Sequence, residues 1–137
     1  MTNAFTILDG EDRFQVDARV DGGSVLIGAD SLQATLGWQL EPEGLCRGGA
    51  CVSVRDRSAL ERDGGIDLAS LAAALGRPLA LDVEEGVAAL GTAADERRRQ
   101  LESRQAPNFT LPDLQGKPHS LSDHLGKKVL LIAYASW

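Results

Sequence analysis

Residues 128–137 read KVLLIAYASW, and the fold prediction starts from this stretch. Residues 129–135 are seven consecutive small or apolar residues that follow a Gly-Lys-Lys turn. Such a run predicts a strand that is covered on both faces, as in a parallel sheet. A parallel neighbour requires a crossover of about a dozen or more residues, so we expect the later neighbours of this strand to lie beyond residue 137. The stretch therefore predicts the start of an α/β domain, cut short.

The residues that lead into this strand form a second pattern, over residues 106–137. It opens with Ala-Pro, continues with spaced Phe, Leu, Asp, Gly and Leu, and closes with Gly-Lys, the apolar strand and a Ser-Trp step. Its positions are Ala106, Pro107, Phe109, Leu111, Asp113, Gly116, Leu121, Gly126, Lys127, Val129, Leu130, Leu131, Ala135, Ser136 and Trp137. The segment resembles the opening of a thioredoxin-like redoxin domain of the peroxiredoxin and thiol–disulfide reductase kind. The resemblance implies a truncated thioredoxin-like α/β domain for residues 105–137.

The resemblance also implies where the catalytic residue lies. In such domains the residue after the Trp is the nucleophile, at a helix N-terminus that lowers its thiol pKa. The nucleophile is then expected directly after Trp137, and residues 1–137 are expected to show no peroxidase or reductase turnover of their own. A truncated gene read, a deliberately shortened chain and an in-frame UGA codon, which also encodes selenocysteine, are three open explanations of this ending.

Residues 1–104 are predicted to form a small α+β module. Residues 14–20 alternate in the manner of a strand, and residues 25–27 return as a second strand after an Asp-Gly-Gly turn. Residues 79–83 and 87–90 indicate another hairpin, although the second run fits a helix equally well. The module is therefore expected to contain at least one antiparallel hairpin.

Helices are expected between and after these strands. Asp30 is predicted to cap a short helix that ends at Gly37, and Asp67 to cap a clearer one that ends at Gly76. Trp38 follows the first helix directly. It is expected to anchor the packing of the next loop, and a role in a binding face stays open.

A charged helix is predicted to link the two parts of the chain. Thr92 and Asp95 have the spacing of a capping box, and the helix is expected to run to about Ser103 with polar residues nearly all round. The Ala-Pro step at residue 106 then disfavours helical geometry. The domain boundary is therefore placed near residue 104.

Composition narrows the classes of function. Residues 1–98 contain 9 basic and 17 acidic residues and the whole chain has a net charge of −6, so a nucleic-acid surface is not expected. No apolar stretch reaches the length of a membrane helix, and the N-terminal sequence has neither the basic nor the apolar region of a signal peptide. We therefore expect a cytoplasmic protein without nucleic-acid or membrane partners.

Cys46 and Cys51 are the candidate redox residues. Gly48 and Gly49 between them let the backbone fold tightly enough to bring the Cα atoms within the ~7 Å that a disulfide needs. Arg47 adjoins the first thiol and is expected to favour its thiolate. Four interpretations stay open: a reduced and inert pair, a redox pair that resolves or senses the nucleophile, a metal site, and a structural disulfide.

His119 and His124 are expected to be exposed or to cap turns, and neither is assigned a mechanism. They are the other candidate zinc ligands besides the cysteines, but they belong to the other predicted domain. This separation argues against a zinc site shared with the cysteines, and no cofactor is expected.

Two classes of function stay open. The first is a thiol- or selenol-dependent redoxin that reduces peroxides or disulfides at the expense of a thiol reductant, and this chain would be its N-terminal part. The second is a non-enzymatic module, partner-binding or redox-regulatory, that carries a remnant of a redoxin domain. A Cys or selenocysteine after Trp137 would favour the enzyme, and a genuine stop would favour the module.

Overall fold

The computed structural model describes residues 2–135 of the chain. This part divides into two compact units, of which one ends at Arg99 and the other begins at Gln100. The division falls a few residues before the domain boundary expected near residue 104. Helices separate runs of two or three strands along the described chain, so the fold is of the mixed α and β kind.

Twelve strands and four α-helices lie within the described range. The strands are β1 (Thr2–Asp9), β2 (Asp12–Asp21), β3 (Ser24–Ile27), β4 (Gln39–Glu41), β5 (Gly44–Arg47), β6 (Ala50–Val52), β7 (Glu61–Arg62), β8 (Gly65–Asp67), β9 (Leu79–Asp82), β10 (Val87–Leu90), β11 (Thr110–Pro112) and β12 (Pro118–Ser120). The helices are α1 (Ala29–Leu36), α2 (Arg57–Leu60), α3 (Leu68–Ala74) and α4 (Ala94–Glu102).

The first unit is built on a mixed sheet whose seven described strands have the order β7-β8-β3-β2-β1-β10-β9. Strands β1 and β10 run parallel, and the other neighbouring pairs of this sheet run antiparallel. Strands β4, β5 and β6 form a second, antiparallel sheet. The chain thus leaves the large sheet after α1 and returns to it after α2.

The core of the first unit lies against one face of the large sheet. Phe5 and Ile7 are buried because side chains alternate along β1 and place both on the same face. Val16 of β2 stands opposite Phe5 in the register and joins the same cluster, and Leu71 of α3 is also buried in it. Each fully buried side chain of this size contributes about 1.5–3 kcal/mol to stability.

Several local predictions are confirmed. Strands β2 and β3 form the expected hairpin, and β9 and β10 form the second, with β10 a strand and not a helix. The Asp67 carboxylate accepts the Ser70 N–H at 2.8 Å and so caps α3 as predicted. Gly37 takes a left-handed conformation at the end of α1, and Trp38 is buried in the core. These features were predictable because short-range chemistry sets them.

Other local predictions are wrong. Helix α1 begins at Ala29, so Asp30 lies inside its first turn and is not its cap. Helix α4 begins at Ala94, which places Thr92 two residues before the helix, so the expected capping box does not form. Strand β1 was not predicted, although it forms a hairpin with β2 across the short turn at Gly10 and Glu11; its parallel pairing with β10 joins residues far apart in the chain.

The described part of the second unit is a hairpin followed by a short 3-10 helix. Strand β11 pairs with β12, and the helix, Leu121–His124, follows at once. A capping box starts this helix, in which Ser120 and Asp123 each accept a backbone N–H from the other's position. These described elements do not confirm a thioredoxin fold for the second unit.

The terminal apolar run differs most from its prediction. Residues 129–135 have no regular secondary structure, and Leu130 and Tyr134 are 84% and 88% exposed. Within residues 2–135 no strand pairs with this run. The prediction of a buried strand is therefore wrong for the described structure, because a strand is buried only when neighbours cover it. The Ser-Trp step and the expected nucleophile position lie outside the described residues.

Removing residues 105–137 is expected to leave the first unit folded and to reduce aggregation. The buried core of the described chain ends at Leu90, so the deletion removes none of it. The exposed run at residues 129–135 is apolar, uncharged and free of proline, which is the composition that favours pairing between chains. Light scattering and urea unfolding of the shortened and full chains check this. Loss of cooperative unfolding in the shortened chain would place the domain boundary elsewhere.

Candidate redox site

The small sheet of β4, β5 and β6 carries the cysteine pair. Gly48 and Gly49 connect β5 to β6 with φ values of +58° and +82°. Two successive residues with positive φ make the tight turn that suits a two-residue hairpin, and glycine adopts it at least cost. The turn fixes the register, so that Cys46 stands directly opposite Cys51.

The two faces of this sheet differ in exposure. Leu45 is fully buried, and its cross-strand neighbours Leu40 and Val52 pack against the same core. The alternate positions, which include Cys46 and Cys51, point to the opposite face. Cys51 is exposed and Cys46 is partly buried. The hydrophobic face thus anchors the hairpin and presents both sulfurs on its outer side.

The sulfur atoms of Cys46 and Cys51 lie 2.09 Å apart, at the distance of a disulfide, and the Cα atoms are 4.1 Å apart. The structure therefore confirms that the glycine turn brings the two cysteines together. Across antiparallel strands, the closer Cα pairs, near ~4.5 Å, are those that share no backbone hydrogen bonds. In the described residues no group of three or more His, Cys, Asp and Glu side chains is arranged to hold a metal ion.

Arg47 does not take the role expected for it. Its guanidinium lies over the Trp38 ring, 4.7 Å from the ring centroid, and donates a hydrogen bond of 3.3 Å to the Leu36 carbonyl. Residues next to each other in a strand point to opposite faces, so Arg47 and Cys46 are on different sides of β5. The Arg47 guanidinium therefore interacts with the Trp38 ring and with the last carbonyl of α1, and not with the Cys46 sulfur.

An open cleft of about 750 Å³ lies on the first unit, with Trp38, Arg47 and Val52 among its lining residues. The Trp38 indole Nε1 is buried and has no hydrogen-bond partner within residues 2–135. Because Arg47 belongs to β5 and Val52 to β6, the hairpin that carries the cysteines forms part of the cleft wall. Lining residues from other elements are Leu8, Asp9, Gly10, Leu75, Arg77, Ala89, Leu90, Gly91, Thr92, Ala93, Asp95, Glu96 and Arg99.

Arg77 and Asp9 form a partly buried ion pair in this cleft that was not predicted from the sequence. Arg77 bonds the Asp9 carboxylate through both terminal nitrogens, with Nη1 to Oδ2 at 3.2 Å. Its Nε donates to the Gly91 carbonyl at 2.7 Å, and Nη2 donates to the Leu90 carbonyl at 3.1 Å. The arginine thereby ties the loop after α3 to the ends of β1 and β10. The pair joins residues 68 apart in the chain, so local sequence patterns carry no signal for it.

In the second unit His119 lies at the hairpin turn and His124 at the end of the 3-10 helix. His119 Nε2 lies 2.9 Å from Asp113 Oδ2, and Asp113 also accepts the backbone N–H groups of Gln115 and Lys117. His124 ends the 3-10 helix. Both side chains are exposed, as expected. This arrangement closes the turn of the β11–β12 hairpin.

Lowering the pH is expected to loosen this turn. The hydrogen bond from His119, followed by that from the Lys117 N–H, holds the pKa of Asp113 below its ordinary value of 3.8. A carboxylate with a lowered pKa in the folded state stabilises the hairpin above its unfolded pKa, and this contribution is lost as pH falls from about 3.8 through the folded pKa. In NMR titrations, His119→Gln should raise the pKa of Asp113. An unchanged midpoint would show that His119 does not act on it.

Comparison with models of known protein families, with curated proteins and with solved structures finds no match for this chain. Among the described helices, none has the length and apolar character needed to cross a membrane.

Proposed function

We propose that Cys46 and Cys51 form a reversible dithiol–disulfide pair, and that the chain is the N-terminal part of a thiol- or selenol-dependent redoxin. The observation that carries the proposal is the placement of the two sulfurs at bonding distance on the outer face of a hairpin whose other face packs against the core. The resemblance of residues 106–137 to a redoxin opening supports the same chemistry. The thioredoxin-like α/β domain itself is part of the proposal.

The exchange reaction conserves atoms and electrons. A thiolate of the reductant attacks one sulfur of the pair, the Cys46–Cys51 bond breaks, and the released thiolate takes a proton from water. A second thiol of the reductant resolves the mixed disulfide, so that two electrons and two protons reach the pair. In reverse, the dithiol reduces a disulfide or resolves a sulfenic acid on the redoxin nucleophile with release of water. Its partners are then a thiol reductant and the peroxide- or disulfide-oxidised nucleophile.

We also propose a cytoplasmic location, and this location supports a reversible pair over a structural disulfide. Cytoplasmic thiols are kept reduced, and disulfides that form there are usually transient and functional. Cys51 is exposed, so a thiol in solution can reach it. A pair in this position would cycle and not remain permanently oxidised.

A second candidate is the redox-regulatory module without turnover. One observation favours it: the hairpin that carries the cysteines also carries Arg47, which covers Trp38 in the wall of the cleft. A change in the hairpin on reduction would then alter the cleft. Trp38 fluorescence in a Trp137→Phe background, followed during reduction, reports this change. A constant spectrum would remove the argument for regulation.

A glutathione redox titration of the full chain tests the main proposal. Alkylation and mass spectrometry should show one reversible transition, from two free thiols per chain in the reduced state to no free thiol in the oxidised state. The first unit should stay folded in both states. Reduction is expected to lower the free energy of unfolding by about 2 kcal/mol, because the loop closed by the bond is short. Thiols that stay free under mild oxidant in the folded protein would refute the proposal. So would a disulfide that dithiothreitol cannot open without denaturant.

A further inference from the structure

Strand β6 is an open edge of the small sheet. The order of that sheet is β4-β5-β6, so β6 has β5 on one side and no other described strand on its second side. Ala50 and Cys51 of β6 are exposed. An exposed strand edge is a template for pairing with another extended segment.

The backbone of Cys51 faces this open edge. In a two-residue hairpin the residues that flank the turn, Arg47 and Ala50, form a pair joined by backbone hydrogen bonds, and such pairs alternate with unbonded ones. The next pair, Cys46 and Cys51, is then the unbonded kind, in agreement with its Cα separation of 4.1 Å. The N–H and C=O groups of Cys51 consequently point away from β5.

We infer that an extended peptide segment with a cysteine adds to β6 as an antiparallel strand, and that its thiolate attacks the sulfur of Cys51. This inference rests on the proposed function and names the partner of the same site. The partner is a cysteine-bearing strand, because the edge offers backbone hydrogen bonds at Cys51, the more exposed cysteine of the pair.

The register places the three reacting residues side by side across the sheet. A partner residue that exchanges both backbone hydrogen bonds with Cys51 has its Cα about 5.5 Å away and its side chain on the same face. That separation lies within the ~4.4–6.8 Å range of Cα distances in disulfides. The Cys46 sulfur lies on the far side of Cys51 across the sheet, so the incoming thiolate, Cys51 and Cys46 follow one line. This is the alignment that attack with departure of the Cys46 sulfur requires.

The step forms one bond and breaks one. The peptide sulfur bonds to the Cys51 sulfur, the Cys46–Cys51 bond breaks, and its electron pair leaves on Cys46 as a thiolate, which water protonates. The product is a mixed disulfide between the peptide and Cys51 with a free Cys46. A second thiol on the peptide partner would then release Cys51.

Three synthetic peptides test the inference on the full, oxidised chain. The first is an eight-residue extended peptide with one central cysteine between β-branched residues. The second carries an N-methyl group on the cysteine amide, which would face Cys51. The third peptide carries the N-methyl group on the next residue, whose N–H points away from β6. This third peptide is the matched control.

The first and third peptides should open the disulfide up to about tenfold faster than the second, since tenfold corresponds to about 1.4 kcal/mol, the upper part of the range for losing one backbone hydrogen bond. Acid quenching, alkylation and peptide mapping should place the adduct on Cys51. Equal rates for all three, or an adduct on Cys46, with normal opening by dithiothreitol, would overturn the docking inference alone. Inertness toward every thiol, dithiothreitol included, would overturn the proposed function as well.

Discussion

Replacing Gly44 with alanine is expected to destabilise the first unit by at least about 3 kcal/mol and to separate the two cysteines. Gly44 has a φ of +138°, a backbone conformation that residues with a side chain rarely adopt. A Cβ atom built on it lies 2.1 Å from the Val52 carbonyl oxygen. Because this oxygen belongs to the backbone of the small sheet, it cannot move aside without breaking the pairing of β5 with β6.

Gly48→Ala provides the matched control for this substitution. Gly48 also has a positive φ, +58°, but a Cβ there meets no atom within 4 Å. Its cost is therefore limited to the left-handed conformation, about 1–2 kcal/mol. Urea unfolding measures both variants, and thiol counting after mild oxidation should find free cysteines only in Gly44→Ala. Equal stabilities for the two variants would show that the contact with Val52 does not hold the sheet.

The parts of the fold that the sequence predicted are those that local chemistry decides. The Asp67 cap and the glycine stop at residue 37 depend on groups a few residues apart, and both are present. Strand β1 was missed although its hairpin with β2 turns locally at Gly10 and Glu11, whereas its parallel pairing with β10 joins residues distant in the chain and has no local signal. Residues 129–135 show the reverse case. Their apolar run has the composition of a buried strand, but burial requires partners that the described chain lacks.

The candidate site divides along the same line. That Cys46 and Cys51 meet was predictable, because two glycines in a four-residue connection permit a tight turn. The direction of the Arg47 side chain was not predictable. Neighbours in a strand point to opposite faces, so Arg47 can be placed relative to Cys46 only once both are known to lie in a strand. The outward backbone of Cys51 follows only from the observed register.

Replacing Arg77 with methionine is expected to lower the free energy of unfolding by about 2–4 kcal/mol. The substitution keeps the aliphatic stem but leaves the Asp9 carboxylate and the Leu90 and Gly91 carbonyls without their donor. An unpaired buried charge costs about 3–5 kcal/mol, and the side chains here are 14% and 24% exposed, so partial solvation reduces that value.

A double-mutant cycle with Asp9→Asn separates the ion pair from the carbonyl contacts. The double variant should lose about 1–2 kcal/mol less than the sum of the single variants, because removing both partners leaves no unpaired charge. Arg98→Met is the control, since Arg98 pairs with Asp95 at 3.9 Å with side chains 70% and 79% exposed. Such surface pairs contribute about 0–1 kcal/mol. Strict additivity in the cycle would mean that Arg77 acts on the carbonyls of β10 and its loop, and that Asp9 is incidental to the stability of the cleft.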